Sequence, residues 1–116
     1  MIAFFTEDSA VIQIRGRLDG PGGVVLGQTL ERIRPVQYSR WVLDLSQVEF
    51  IDSAGLTALL DSLSLATEHG CRLAIYNPHP AVKLVFEISR LDELFELVDA
   101  IDQQEPFAPD LDRNAA

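Results

Sequence analysis

A chain of 116 residues, 47% hydrophobic and 23% charged, is long enough to bury one core without covalent staples and has the make-up of an ordinary globular domain. Its single cysteine, Cys71, excludes an internal disulfide, and its net charge of −9 would repel a phosphate backbone, which argues against nucleic-acid binding. No apolar run approaches the roughly 18 residues of a membrane-spanning helix, and Met1–Phe5 runs straight into Glu7 and Asp8 without the basic flank and apolar stretch of a signal peptide; a cytoplasmic protein without membrane insertion is expected.

The acidity is uneven. Residues 1–86 carry nine acids and seven bases, whereas residues 87–116 carry nine acids and only Arg90 and Arg113. A single domain over 1–116 is expected, with 99–116 as an acidic C-terminal tail: a short helix up to Glu105, then a frayed end beyond Pro106.

Phe4-Phe5 and Ala10–Ile14 read as a strand pair joined by an acidic turn at Glu7-Asp8-Ser9, the second run being short and β-branched. The glycine- and proline-rich run Gly16–Gly23 reads as a loop; without a Gly-Lys-Ser/Thr ending it is no phosphate cradle. Leu26, Leu30 and Ile33 then recur at i, i+4, i+7, predicting a helix over 24–34 that Pro35 stops. Trp41–Leu45 is apolar almost throughout, as a central strand buried on both faces is, and Asp44 within it needs a partner.

Leu56, Leu59, Leu60, Leu63 and Ala66 predict a second helix, ended by Gly70. Its other face reads Thr57, Asp61, Leu65, Glu68, where Leu65 is the apolar misfit and a candidate contact for a partner. Cys71–Tyr76 is a further strand, ended by Asn77-Pro78. A third helix starts at His79 or Pro80, proline being preorganised for a first helical turn, and carries Val82, Val85, Phe86 and Ser89. Leu91–Leu94 reads as a turn and Phe95–Val98 as an edge strand. The order β-β-α-β-α-β-α-β plus a tail is that of an α/β protein: a mixed sheet of about four to five strands, with parallel neighbours and helices packed on it.

The chemistry concentrates at Phe50-Ile51-Asp52-Ser53-Ala54-Gly55-Leu56, between a strand and a helix. His69, Cys71 and His79 match no zinc spacing, and neither a metal nor a cofactor is expected. A hydrolase would need a Gly-x-Ser-x-Gly elbow, but isoleucine stands in place of the first glycine, and His69 or His79 would have to serve as base. Ser53 or Asp52 can instead be a simple N-cap, worth about 1 kcal/mol. Alternatively, Ser53 at the first helical position, beside free backbone N–H groups and the positive end of the helix dipole, can accept a phosphoryl group, with Ala54 and Gly55 leaving the approach open. Asp52 opposes that dianion by repulsion. Spacing alone favours the cap.

The same run resembles the signature of the STAS domain, the fold of bacterial anti-sigma factor antagonists. Gly16-Arg17-Leu18-Asp19 resembles the family's Gly-x-Leu-Asp loop, Asn77-Pro78 through Leu94-Phe95 resembles its last helix and ending, and the order of elements is the family's. The resemblance implies a protein that is not an enzyme. Unphosphorylated, it would bind an anti-sigma factor that is also a serine kinase and free the sigma factor. The kinase would phosphorylate Ser53 from ATP and release the complex, and a serine phosphatase would reset it. The candidate contact residues are Asp19, Asp52, Ala54, Gly55, Thr57, Asp61 and Leu65. The family often has serine at the position of Ala54 and glycine at that of Thr57. STAS domains also serve as constitutive subunits of membrane transporters and sensory complexes, the rival reading; homo-oligomerisation stays open.

Overall fold

Along the second strand Ile12 and Ile14 fall on one face of the pleat and Val11 on the other, and all three are buried. That two-sided burial marks the middle of a sheet. The computed structural model describes residues 1–36 and 38–98. They form β1 (Ile2–Phe5), β2 (Ser9–Leu18), α1 (Gly20–Ile33), β3 (Arg40–Ile51), α2 (Ser53–Glu68), β4 (Arg72–Tyr76), α3 (Pro80–Ser89), a 3-10 turn at Leu91–Glu93 and β5 (Glu96–Val98). The expected order of elements holds throughout. The acidic tail expected over 99–116 lies outside the described residues.

The sheet runs β1-β2-β3-β4-β5, with β1 antiparallel to β2 and every later pair parallel. Three successive crossovers in one direction put α1, α2 and α3 on one face, as right-handed connections require. There Leu26, Leu30, Leu59, Ala66, Val82 and Phe86 meet Ile12, Ile14, Trp41, Leu43, Leu45 and Ile75 in one core. On the other face Val11, Val42 and Ala74 form a smaller cluster with Phe4, Tyr76 and Val98. Asp44, 2% exposed within the buried part of β3, finds its partners in the Gln13 side-chain amide (3.3 Å) and the backbone N–H of Ser46 (2.9 Å).

One departure from the sequence reading matters for the site. The run Gly16–Gly23 is not a loop: Gly16, Arg17 and Leu18 finish β2, and α1 already starts at Gly20. Asp19 makes the switch, its carboxylate accepting the Gly22 N–H at 3.1 Å as the N-cap, with Pro21 tolerated in the first turn. Strand β3 is likewise much longer than Trp41–Leu45. β4 pairs with it only as far as Asp44↔Tyr76, whereas β2 and β3 continue together, through two register shifts, to Leu18↔Ile51. The sheet therefore projects as a two-stranded ribbon at the C-terminal ends of its parallel strands, with Asp19 and Asp52 at its tip.

Candidate functional site

Both helices that leave the ribbon are capped in the same way. Asp52, in an extended conformation, accepts the Gly55 N–H at 2.9 Å and opens α2 as Asp19 opens α1. The two caps are tied together, because the Asp52 N–H donates to the Leu18 carbonyl at 3.4 Å. The Asp19 carboxyl is held below its ordinary value of 3.8, first by the Gly22 N–H, which favours the charged form; partial desolvation opposes this, and Arg17, 3.4 Å away, adds to it. The Arg17 guanidinium also lies 4.2 Å from the centre of the exposed Phe50 ring, a cation–π contact on the same rim.

With the cap supplied by Asp52, Ser53 becomes the first residue of α2 and is exposed. Its side chain makes no hydrogen bond among the described residues, and only its backbone carbonyl is used, accepting from the Thr57 hydroxyl at 2.9 Å. The cap that the sequence left to either residue thus belongs to Asp52, and the Ser53 side chain is not used for it.

Gly55 lies underneath. A Cβ there would run into the Leu18 carbonyl oxygen and stand 2.9 Å from the Ile51 side chain, so only glycine lets the first turn of α2 sit on the end of β2. It is buried, and shapes the surface rather than belonging to it. Gly23 has the same use between helices, since a Cβ on it would meet that of Ala58 at 2.8 Å. Sequence reasoning placed Gly23 in a loop and passed over it, because the start of α1 left no signal in the pattern.

The remaining candidates form one flank of α2. Ala54, Thr57 and Asp61 are exposed and Leu65 is half-buried, and together with α1 they line a groove of 530 Å³. Leu65 is therefore not a misfit on a water-facing side: it packs partly against the core and partly walls this groove. Asp19 does not line the groove; at the ribbon tip its carboxylate is already engaged by the Gly22 N–H and Arg17.

A serine hydrolase geometry is not formed by the residues proposed for it. His69 stands at the far end of α2, sixteen residues from Ser53 and hence about 24 Å along the helix, against Trp41. His79 is the N-cap of α3, where its Nδ1 accepts the Ala81 N–H at 3.1 Å.

Comparison with known proteins bears on the family and the fold. A family model described as "Mlab, STAS domain" matches residues 4–99. The chain is 28% identical over 90 residues to the anti-sigma F factor antagonist of Paenibacillus polymyxa, covering 77% of each chain. It is 29% identical over 86 residues to a STAS-domain containing protein of Pseudomonas aeruginosa, covering 74% of this chain and 84% of that one. Among solved structures, an anti-sigma factor antagonist from Mycobacterium paratuberculosis superimposes with a TM-score of 0.75 at 22% identity, over 88% of this chain and 86% of that one. The phosphorylated form of the Bacillus cell fate determinant SpoIIAA does so with a TM-score of 0.65 at 21% identity, over 94% and 93%. At these identities the structures establish a shared fold.

Proposed function

Because the chain belongs to the STAS domain family, we propose that it is an anti-sigma factor antagonist, a protein-binding switch whose state is set by phosphorylation of Ser53. The observation that carries the reading is the division of labour at the start of α2: Asp52 caps the helix, and the Ser53 hydroxyl stands exposed beside it. A phosphoryl group on Ser53 would lie at the N-terminal end of a sixteen-residue helix, where the dipole favours negative charge and keeps the fold tolerant of it. The cost falls on the complex instead. A dianion desolvated in an interface and crowded by Asp52 need cost binding only about 3 kcal/mol to weaken it roughly a hundredfold. The relative named as an anti-sigma F factor antagonist supports an anti-sigma factor as the partner class; serine-kinase activity in that partner and an opposing serine phosphatase belong to the proposal through the family resemblance. On this reading the protein acts in the cytoplasm, by binding and not by turnover.

The test is incubation with a kinase-type anti-sigma factor and ATP, followed by mapping of the phosphate. Modification is expected at Ser53 and nowhere else; Ser53→Ala should abolish it and keep binding, and Ser53→Asp should weaken binding roughly a hundredfold. Phosphate confined to another residue, or undiminished binding by Ser53→Asp, overturns the proposal. Recovery from cells of a transporter ATPase subunit or a sensory scaffold with no kinase would assign the chain to a constitutive assembly.

A further inference from the structure

Of the glycines around the groove, Gly20 and Gly27 would admit a side chain, and only Gly27 does so inside a helix, Gly20 being the first residue of α1. Gly23 and Gly55 sit where a side chain would collide. Gly27 is exposed, in the middle of α1, and a Cβ there would meet nothing within 4 Å. Glycine weakens a helix interior, so its benefit has to come from space left open on the outside. That space is the groove between α1 and α2. Its walls pair the bare backbone of Gly27 with Ala54, Ala58 and Leu65, along three turns of α2. Its charged lining residues are Glu31 and Asp61; no lining residue is basic. Glu31 is neutralised by Arg34 at 2.9 Å, whereas Asp61 makes no ion pair among the described residues.

We propose that this groove seats the apolar face of a basic amphipathic helix from a partner protein, with an apolar side chain over Gly27 and a lysine or arginine against Asp61. The proposal deepens the partner-binding reading of the Ser53 surface and rests on it for the partner being a protein. The groove is a straight trough between two helices, about 16 Å long from Ala54 to Leu65, the shape a third helix fills. Charge selects a basic occupant and disfavours a second copy of this chain, which carries −9 itself. Asp61 lies eight residues below Ser53, about 12 Å along the helix and beyond one Debye length at physiological salt. Charge selection at Asp61 is therefore separable from the phosphoryl switch, although the groove's other end, at Ala54, adjoins Ser53.

The experiment is a titration of the ¹⁵N-labelled full chain with a Leu/Lys amphipathic helical peptide of about 18 residues and with its Leu/Glu twin, followed by NMR. The Leu/Lys peptide is expected to shift the amides of Gly23, Gly27, Thr57, Asp61 and Leu65, and the twin to shift none. Gly27→Leu, which fills the groove, and Asp61→Lys, which reverses its charge, should each weaken the peptide by about tenfold or more, while Ser53→Asp stays within about twofold of the native chain. Gly27→Leu should melt no lower than the native chain, and Gly27→Ala offers a milder filling of the same space. No binding, shifts on another face, equal binding of both peptides, groove shifts that grow with protein concentration alone, or Gly27→Leu and Asp61→Lys variants that bind like the native chain would each overturn the proposal. A kinase that leaves Ser53 unmodified would overturn the switch and leave these peptide shifts standing.

Discussion

At the scale of single residues, neighbouring positions of one motif carry different kinds of work. Asp52 stabilises the helix start, and Asp52→Ala should cost about 1 kcal/mol in a denaturation measurement. Ser53→Ala, whose hydroxyl bonds to nothing described, should leave the midpoint within about 0.5 kcal/mol of the native value. Gly55→Ala is the severe change. Its Cβ would meet the Leu18 backbone, which cannot rotate aside, so a loss of about 2 kcal/mol and a melting point lower by roughly 8 °C are expected. Asp19 gives a pH signature. Its folded-state value lies below 3.8, so its contribution is fully present above that pH and is lost as the pH falls through the folded value. Carboxyl titration by NMR should find the Asp19 midpoint below 3.8, and Asp19→Asn should flatten the corresponding acid-side loss of stability.

At the scale of elements, α1 shows how far sequence patterning reaches. The spacing of Leu26, Leu30 and Ile33 reveals the helix, but not its start, because Gly20, Gly22 and Gly23 all argue locally for a loop. What overrides that propensity is tertiary: the Asp19 cap on the ribbon tip, and α2 lying so close that Gly23 must lack a side chain. Gly27 is under no such constraint. Gly27→Ala should therefore raise the stability of the isolated protein by about 0.5–1 kcal/mol in chemical denaturation. A gain in stability joined to a loss of partner affinity would mark this glycine as kept for binding. The length of β3 was equally hidden. Its apolar run breaks after Leu45, where β4 no longer pairs and only β2 accompanies it.

At the scale of the whole molecule, the sheet with three helices on one face puts Cys71 beneath the surface, where burial pushes its thiol up. A thiol reagent should modify the native chain far more slowly than the unfolded one, with a rate that tracks the denaturation curve. The order of strands and helices, the parallel neighbours and the strand-to-helix junction within residues 50–56 were legible in the sequence because each depends on local periodicity, capping chemistry and chain direction. Tertiary structure alone decided that the caps at Asp19 and Asp52 stand side by side, and that Thr57, Asp61 and Leu65 share a groove with α1. These facts join residues more than thirty positions apart. Such contacts follow from how the helices settle on the sheet and leave no periodic trace in the chain itself.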